Sequence, residues 1–220
     1  PKGTLSNFDS ANMTYTYTPP THKFGGYKDS FSYVAVDSNG MTSEVTTITI
    51  NVSLGCDPSP VLSLSGFGTL ASPYVISTVE ELQSIHDVGD CHYSLSNGID
   101  LLGAEFKPLF QNSSVGFSKS FNGNGHTISN WIYKHPYESN VGFFSRLAPT
   151  ASIQGLILTN AVIQGYSNVG IMAGYNNGGS VTYGLTGGDV TGYSGWGGNA
   201  VGAFFGYSKG GTISQSNSLG

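Results

Sequence analysis

The sequence contains few charged residues. Asp, Glu, Lys and Arg make up 10% of its 220 residues, whereas ordinary globular chains contain about 25%. Lys and Arg together number 8, and the formal net charge is −5. Because phosphate contacts require clustered cations, this composition argues against a nucleic-acid partner. A nearly uncharged surface rich in Ser, Thr and Asn is typical of extracellular structural proteins, so we predict an extracellular or cell-surface location.

Long apolar runs and cysteines are also scarce. No apolar run approaches the ~18 residues that a membrane-spanning helix needs, which argues against membrane insertion of this segment. The 2 cysteines, Cys56 and Cys91, show none of the Cys/His spacings of a zinc site. They could close a loop of 35 residues, and we predict a disulfide between them. Two buried free thiols are the alternative.

The C-terminal third lacks helical periodicity and contains instead a repeat of about 28 residues. Asn168-Val169-Gly170 repeats Asn140-Val141-Gly142 after 28 residues, and Val201-Gly202 follows after 32. A fixed period of about 20–50 residues is typical of a solenoid, in which each unit covers the apolar face of the next. Further predicted equivalent positions are Ile153 with Val181 and Ile213, Ile128 one turn before Ile153, and Val162 with Val190.

Short strands and glycine corners indicate which kind of solenoid this is. Residues 153–158 and 162–165 are short, β-branched and interrupted by glycine, and no segment holds a helical stripe for three turns. Glycines can adopt the positive φ that sharp corners need. The sequence therefore predicts an all-β fold, a right-handed parallel β-helix whose rungs lie about 4.8 Å apart. The predicted corners are 121–125, 176–180, 187–188, 197–199 and 210–211.

Residues 1–53 form a separate predicted domain of antiparallel strands. Side chains alternate in 14–17, 29–36 and 45–52, and Asp37-Ser-Asn-Gly40 has the composition of a tight hairpin turn. These segments give three or four strands, whereas a β-sandwich has about seven. We therefore predict part of an Ig-like β-sandwich.

The N-terminal pattern resembles a surface-protein repeat. Tyr15-Thr-Tyr-Thr-Pro19, Phe24-Gly-Gly-Tyr-Lys-Asp-Ser-Phe-Ser-Tyr33 and Val36-Asp-Ser-Asn-Gly40 are similar to the C-terminal half of the cadherin-like or Ig-like tandem repeats of bacterial surface proteins. The early strands of that domain are missing. Either the chain is a fragment, or a neighbouring chain supplies the missing strands by β-augmentation.

Some domains of this kind bind calcium between repeats, which makes Asp29 and Asp37 candidate calcium ligands. Two carboxylates are too few for the usual six to eight oxygen ligands. The alternative is that both are turn residues whose side chains accept hydrogen bonds from local backbone amides.

One helix is predicted at the start of the solenoid. Residues 54–72 are predicted to form a linker and a first strand, because Gly55-Cys-Asp-Pro-Ser-Pro60 cannot sustain a sheet or a helix and Leu62-Ser-Leu-Ser-Gly-Phe-Gly68 resumes extended structure. Thr78 and Glu81 then make a Thr-x-x-Glu capping box. Apolar residues share one helix face until Gly89 ends the helix. We expect this helix to cover the first rung of a β-helix domain at 73–220. The residues of its apolar face are Val79, Leu82, Ile85 and Val88.

Residues 65–220 resemble a second family. Segments 73–85, 93–101, 121–128 and 141–144 follow one another as in the GLUG-motif β-helix domains of bacterial surface adhesins and of the passenger regions of IgA-specific peptidases. Val169-Gly-Ile-Met-Ala-Gly174 and Val201-Gly-Ala-Phe-Phe-Gly206 resemble the motif that names the family. Because the final repeat is degenerate, we expect the chain to continue beyond Gly220, or another subunit to cover that end. The sequence departs from the family at Asn97-Gly98, where an acidic turn is usual before Ile99-Asp100.

Catalytic patterns are weak. Gly206-Tyr-Ser-Lys-Gly210 matches the Gly-x-Ser-x-Gly nucleophile elbow, but no helix and no His is expected after it. A glycosidase needs two positioned carboxylates, and only Asp100, Glu105 and Glu138 are available in the early rungs. We therefore predict no catalytic residues, no enzyme activity in this segment, and no cofactor apart from the calcium considered above. The histidines His86, His92, His126 and His135 are expected to be ordinary surface or hydrogen-bonded residues.

Aromatic residues near the predicted corners are the candidate ligand-binding residues. Rings on a solenoid surface could stack on sugar rings or dock a partner. Ladders of rings that only stabilise neighbouring rungs are the alternative. The candidates are Tyr166, Tyr175, Tyr183, Tyr193, Trp196 and Tyr207.

The resemblances imply an extracellular bacterial adhesin or surface-fibre segment, a stiff solenoid for structural display and multivalent adhesion. Its partners would be glycans, a host, prey or neighbouring cell surface, or other copies of itself. Two alternatives are a self-polymerising filament subunit completed by strands from a neighbouring chain, and a non-catalytic scaffold of a larger secreted enzyme, either a peptidase or a polysaccharide-active one.

Overall fold

The chain forms two compact all-β units, Pro1–Gly55 and Cys56–Gly220. The structure is a computed structural model that describes residues 3–9, 12, 14–18, 27–52, 64–85, 91–111, 113–193 and 200–219. The predicted parallel solenoid is confirmed, with about 4 turns. Within the described ranges, no helix is long and apolar enough to cross a membrane.

The first unit contains two antiparallel hairpins. Strand β1 pairs with β2, and β3 pairs with β4 in an unbroken register from Tyr27↔Val52 to Tyr33↔Thr46. The predicted tight turn lies between β3 and β4, where the Gly40 amide donates to the Asp37 carbonyl at 3.1 Å. The strands are β1 (Thr4–Asp9), β2 (Thr14–Thr18), β3 (Tyr27–Tyr33) and β4 (Thr46–Val52).

Asp29 connects the two hairpins. It is buried, and its carboxylate accepts hydrogen bonds from the Gly3 amide at 2.9 Å and from the Tyr17 hydroxyl at 2.7 Å. Tyr15 and Phe31 pack edge to face beside it, with ring centroids 6.3 Å apart. A buried carboxylate is costly unless donors surround it. These donors come from the other hairpin, so the carboxylate stabilises the pairing of the two.

The second unit contains the solenoid. Its elements are β5 (Tyr74–Ile76), α1 (Val79–Gln83), β6 (Tyr93–Leu95), β7 (Ile99–Asp100), β8 (Ser120–Asn122), β9 (Thr127–Ser129), β10 (Ile132–Lys134), β11 (Phe144–Leu147), β12 (Ser152–Gln154), β13 (Ile157–Gly165), β14 (Val169–Gly170), β15 (Ala173–Asn176), β16 (Ser180–Thr182), β17 (Leu185–Gly192), β18 (Val201–Gly202), β19 (Phe205–Ser208), β20 (Thr212–Ser214) and β21 (Asn217–Leu219).

These strands stack into parallel sheets, one strand per turn. The first sheet has the order β5-β6-β8-β12-β16-β20, and the second has the order β7-β9-β13-β17-β21, with β10 also pairing with β13. The third sheet is β11-β15-β19, and β14 pairs with β18 beside it. Each described turn therefore pairs with the turns before and after it, which is the arrangement that the repeat predicts.

The core of the solenoid is rich in aromatic rings in its early turns. Phe110, Phe117 and Phe144 form a stack, in which Phe117 lies 5.1 Å from each of the other two ring centroids. All three are fully buried. Burying a side chain of this size contributes about 1.5–3 kcal/mol. The next turn replaces these rings with small and β-branched residues such as Ala173 and Val181. Partly buried rings return in the last described turn at Phe204 and Phe205.

Two of the predicted ladders are confirmed. Ile153 pairs with Val181, and Val181 with Ile213, in the first sheet. Val169 pairs with both Val141 and Val201. Equivalent ladder positions therefore repeat at offsets of 28 and 32 residues, as the sequence predicted.

The predicted equivalence of Val162 and Val190 is wrong by one residue. Ile163 pairs with Val190, and Val162 pairs with Asp189. The register shifts between Leu158 and Ala161, where β13 contains one residue more than β17. A bulge of this kind reverses which side chains face inward, and Ile163 is the fully buried residue.

The predicted equivalence of Ile128 and Ile153 is also wrong. The residue before Ile153 in its ladder is Phe121, and Ile128 pairs with Leu158 in the second sheet. The core accepts an aromatic or a β-branched side chain at the same level, so matching by residue type selects the wrong partner. Phe121 consequently lies in a strand, and the corner begins at Gly123, with the amide of His126 donating to its carbonyl at 2.8 Å.

The other predicted corners fall into three groups. Residues 176–180 and 210–211 do connect strands of successive sheets. Gly187 and Gly188 lie inside β17 instead, and a Cβ on Gly188 would come within 2.1 Å of the Ala161 carbonyl oxygen. That glycine therefore permits close backbone approach rather than a corner. Residues 197–199 lie outside the described residues.

Close backbone packing explains the spacing of glycines in the Val-Gly-x-x-x-Gly repeat. A Cβ on Gly174 would lie 2.1 Å from the Asn140 carbonyl carbon, and a Cβ on Gly206 would lie 2.2 Å from that of Asn168. The second glycine of one turn thus packs on the Asn-Val-Gly segment of the turn before. No larger residue fits at either position without moving backbone atoms.

Helix α1 is capped as predicted but is shorter. The Thr78 hydroxyl accepts from the Glu81 amide at 3.1 Å, and the Glu81 carboxylate accepts from the Thr78 amide at 3.2 Å. Leu82 is fully buried in the solenoid core. The helix ends at Gln83 because Ser84 caps it, with its hydroxyl donating to the Glu81 carbonyl. Residues 86–90, which include the predicted stop at Gly89, lie outside the described residues.

The free edge of β5 is covered by an antiparallel segment. The amide of Val75 donates to the Ser65 carbonyl at 2.9 Å, and the two residues form an antiparallel bridge. Nearby, Cys91 is buried and forms no disulfide with another described residue. Cys56 lies outside the described residues, so the predicted disulfide stays a prediction.

Candidate functional site

The predicted aromatic residues occupy three separate places on the solenoid. Tyr175 and Tyr207 lie in the third sheet, Tyr166 and Tyr193 lie just after the second sheet, and Tyr183 lies between β16 and β17. Trp196 lies outside the described residues. The six candidates are therefore not one site.

Arg146, Tyr175 and Tyr207 form a column across three turns of the third sheet. The strands pair Arg146 with Tyr175 and Tyr175 with Tyr207. The guanidinium carbon lies 4.4 Å from the Tyr175 ring centroid, and the two tyrosine rings stack at 5.2 Å. A cation–π contact and a stacked pair contribute roughly 0.5–1.5 kcal/mol each. This geometry matches a ladder that stabilises neighbouring rungs.

A second column of tyrosines lies at the corner that follows the second sheet. Tyr137, Tyr166 and Tyr193 occur there on three successive turns and are 92%, 41% and 49% exposed. The backbone aligns Tyr166 with Tyr193, because the Tyr193 amide donates to the Tyr166 carbonyl. The Tyr166 amide donates to the Glu138 carbonyl, so Tyr137 lies one residue before the position opposite Tyr166. We call this region the tyrosine corner and define it as residues 135–140, 165–168 and 192–193.

Polar side chains form ladders within the tyrosine corner. The Ser167 hydroxyl donates to the Ser139 hydroxyl at 2.9 Å, and the Asn168 side-chain amide donates to the Asn140 side-chain carbonyl at 2.8 Å. Both asparagines have φ values in the left-handed region, 58° for Asn140 and 53° for Asn168, which asparagine tolerates better than most residues. The corner thus presents hydroxyl and amide groups beside its tyrosines.

Glu138 anchors the tyrosine corner to the loop between β7 and β8, on the preceding turn. Its carboxylate accepts hydrogen bonds from the Tyr133 hydroxyl at 2.6 Å and from the Gln111 side-chain amide. His135 Nδ1 lies 3.4 Å from the other carboxylate oxygen, and its ring stacks on Tyr133 at 4.1 Å. Burial, and then the hydrogen bond to the Glu138 carboxylate, raise the pKa of Tyr133 well above its ordinary value.

A cleft of about 260 Å³ lies next to this anchor. Its wall includes Glu105 and Lys107 from the loop, Gln83 from the end of α1, and Gln111, which also binds Glu138. The Gln83 side-chain amide donates to the Glu105 carbonyl at 3.3 Å across it. Polar groups of both signs line the cleft, which borders the tyrosine corner through Gln111.

Asp100, a further carboxylate of the early turns, has structural contacts. Asp100 accepts hydrogen bonds from the Asn130 side chain at 2.8 Å and the Leu102 amide at 3.0 Å. These two bonds, with the Asn130 bond the stronger influence, lower the pKa of Asp100. Asn160 extends the ladder to Asn130 on the next turn. Asp100 therefore serves the stacking of turns rather than acid–base chemistry.

The Gly-x-Ser-x-Gly segment is not a nucleophile elbow. Ser208 lies in β19, and strand β20 follows it instead of a helix. Its hydroxyl donates to the Gly210 carbonyl at 2.8 Å. A nucleophile elbow requires a strand–turn–helix corner beside a general base, and Ser208 has neither in the described part of the chain.

His92 is a hydrogen-bonded surface residue. Its Nδ1 lies 2.7 Å from the Ser120 hydroxyl and accepts from the Ser120 amide at 3.3 Å. Partial burial, and then the charge of Lys119, lower the pKa of His92. Among the described residues, no group of three or more His, Cys, Asp or Glu side chains could hold a metal ion.

The two calcium candidates are engaged by protein donors. Asp29 is buried between the hairpins and bonded to Gly3 and Tyr17. Asp37 is exposed, and its carboxylate accepts from the amides of Asn39 and Met41 at 2.8 and 2.9 Å. The contacts of Asp37 correspond to the turn-residue alternative, whereas Asp29 lies in strand β3 and its partners Gly3 and Tyr17 are distant in sequence. Calcium binding by this unit stays a prediction.

Sequence reasoning missed Tyr137 and the anchor around Glu138. Tyr137 precedes the recognisable repeat, so no equivalent position identified it. Gln111 and Glu138 are 27 residues apart and meet only because turns stack. A search for polar residues one rung length apart could have found this pair.

Comparison with known proteins gives one similarity in sequence and one in structure. No family model matches the chain. Halomucin from Haloquadratum walsbyi is 30% identical over 189 residues, which cover 77% of this chain and 2% of halomucin. The chain thus spans about a fiftieth of the length of the relative it matches.

The structural similarity is to a crystal structure of a Bacteroides ovatus protein provisionally described as an immunoglobulin A1 protease. It has a TM-score of 0.45 and 16% sequence identity, and it covers 70% of this chain and 59% of that one. This chain therefore spans less than two thirds of that protein as well.

Proposed function

We propose that this chain is a segment of an extracellular surface protein, in which a stiff β-solenoid provides structural display and multivalent adhesion. The observation that carries the proposal is the unbroken pairing of parallel strands from turn to turn under a surface that is almost free of charge. Such pairing makes the solenoid mechanically continuous. A surface of hydroxyl, amide and aromatic groups favours many weak contacts, which become strong when a long molecule makes several at once.

The sequence similarity supports a surface setting. The relative is named a mucin, and mucins are surface or secreted glycoproteins, so the name agrees with an extracellular location for this chain. Within this proposal, residues 1–53 are the end of a cadherin-like or Ig-like repeat, 54–72 are a linker and first strand, and 73–220 are a GLUG-type β-helix. The glycine spacing of 169–174 and 201–206 supports the last assignment.

The test is a binding assay with the purified chain. The chain is applied to a glycan array and to intact cells. The same preparation is incubated with polysaccharide and protein substrates as a control for hydrolysis. We expect saturable binding to at least one glycan or cell surface and no hydrolysis. Absence of binding together with cleavage of a substrate would overturn the proposal. Fibres in electron micrographs of the purified chain would favour the filament alternative instead.

A further inference from the structure

We infer that the tyrosine corner is the binding site for a neutral linear polysaccharide that lies along the solenoid and crosses successive turns. This inference rests on the proposed adhesive function and assigns it to one surface. It also identifies which of the three places that hold the predicted aromatic residues binds the ligand.

Exposure distinguishes the tyrosine corner from the Arg146 column. Tyr137 is 92% exposed and Tyr166 and Tyr193 are close to half exposed, and none of the three stacks on another ring in the described structure. Tyr175, in contrast, has its faces against Arg146 and Tyr207. Faces of exposed tyrosine rings are the groups on which the apolar faces of sugar rings pack, so only the corner offers them on three turns.

Stacking of the turns sets the spacing of the site. Adjacent strands in a parallel sheet lie about 4.8 Å apart. Tyr166 and Tyr193 occupy aligned positions on adjacent turns, and Tyr137 lies on the turn before, one residue from the aligned position. This separation of adjacent turns is comparable with the length of one sugar unit in an extended polysaccharide chain. A linear chain could therefore place successive sugar rings near tyrosines of successive turns, and the backbone pairing holds the main chain of these turns in place before binding.

The polar groups of the corner match a neutral ligand. Ser139, Ser167, Asn140 and Asn168 supply hydroxyl and amide groups next to the tyrosines. The same outer face continues into the strands, where Gln164 pairs with Thr191. Hydroxyl and amide groups are both donors and acceptors, so they can exchange hydrogen bonds with sugar hydroxyls in either sense.

The charges of the corner argue against an acidic polysaccharide. Apart from tyrosines, its ionisable side chains are His135 and Glu138. The Glu138 carboxylate is occupied by Tyr133, Gln111 and His135, so it is not available as a strong acceptor for the ligand. The nearest lysine, Lys134, lies at the border of the corner on β10. Recognition of a carboxylated or sulfated sugar would favour a cluster of cations instead.

The test measures affinity for soluble oligosaccharides by titration calorimetry. The neutral probes are linear β-1,4- and β-1,3-linked glucan oligosaccharides, and the acidic probe is polygalacturonate. The variants are Tyr137→Ala, Tyr166→Ala and Tyr193→Ala, singly and together. Tyr183→Ala is the matched control, because Tyr183 is 53% exposed at a different corner.

We expect a neutral probe to bind and each single variant to weaken binding about three- to tenfold, which is the usual effect of one aromatic contact. The triple variant should lose measurable binding, and Tyr183→Ala should bind as the unaltered chain does. Tyr166→Phe should retain affinity, because stacking needs the ring and not its hydroxyl. Circular dichroism and thermal unfolding establish that the variants remain folded.

Three outcomes would overturn the inference. Neutral probes could bind equally well to the triple variant, or polygalacturonate alone could bind and lose affinity in Arg146→Gln. In either case adhesion stands and its site lies elsewhere. If no probe binds but the chain still attaches to cells, the glycan assignment fails and the adhesive function stands. Absence of both probe binding and cell attachment would contradict the proposed function itself.

Discussion

Asn176 is the buried side chain that holds the corner between β15 and β16. It is 0% exposed. Its amide group donates to the carbonyls of Gly179 and Gly210, at 3.0 Å each, and its carbonyl accepts from the Gly179 amide at 2.8 Å. It also reaches the Ser208 hydroxyl at 3.3 Å. One side chain thus satisfies backbone groups on its own turn and on the next.

We predict that Asn176→Ala destabilises the solenoid by about 3 kcal/mol. The buried amide and carbonyl of Gly179 would lose their partner, and the Gly210 carbonyl would keep only the bond from the Ser208 hydroxyl. Each buried group left without a partner costs about 1–3 kcal/mol. For a chain of this size, 1 kcal/mol corresponds to roughly 2–4 °C in Tm, so the expected fall is about 6–12 °C. Asn176→Asp should be at least as destabilising at neutral pH, because a carboxylate cannot donate to the two carbonyls.

Thermal unfolding followed by calorimetry and circular dichroism measures this effect. The matched control is Asn177→Ala, since Asn177 is half-buried in the same corner and no hydrogen bond links its side chain to another described residue. We expect the control to stay within about 0.5 kcal/mol of the unaltered chain. If Asn176→Ala unfolds within about 1 °C of the control, the corner does not depend on these hydrogen bonds, and the reasoning is wrong.

Further predictions concern packing, register and pH. Gly174→Ala should lower the unfolding free energy by about 3 kcal/mol or more. Gly98→Ala should lower it much less, because the added Cβ would meet only one oxygen at 3.2 Å. Equal losses in the two variants would refute the close packing of turns. Ile163→Ala should cost about 2–5 kcal/mol and Val162→Ala under about 1.5, and denaturant midpoints in the reverse order would refute the register. The raised pKa of Tyr133 implies that this tyrosine loses its proton at a lower pH in the unfolded state than in the folded state, so the unfolding free energy should fall by about 1.4 kcal/mol per pH unit above roughly pH 10. Tyr133→Phe should remove that slope, and an unchanged slope in the variant would assign it to another group.

Local patterns were sufficient to predict much of the fold. The Val141, Val169 and Val201 positions could be found because the same residue recurs in the same Val-Gly pair. The capping box at Thr78 and Glu81 could be found because both partners lie within one helical turn. Each of these signals is contained in a short stretch or in repeated letters.

Features that depend on the stacking of turns could not be read in the same way. Phe121 takes the place of an aliphatic residue beneath Ile153, since the core has room for a ring at that level. The extra residue of β13 near Asn160 changes the register without any mark in the sequence except an asparagine, which has a φ of 53°. In the candidate site, Tyr137 and the anchor around Glu138 likewise become visible only when three turns are placed on one another.

The residue spacing between the turn of β13 and β14 and the turn of β17 and β18 indicates where such chains can accept insertions. Gly165 pairs with Gly192 at an offset of 27 residues, whereas Val169 pairs with Val201 at 32. The additional residues therefore enter between Gly192 and Val201, at the tyrosine corner, while the strands on either side keep their pairing. Insertions at this position leave the core unchanged. Foreign peptides could be grafted between Tyr193 and Ala200, which makes this corner a natural point for engineering or evolving new epitopes on a constant framework.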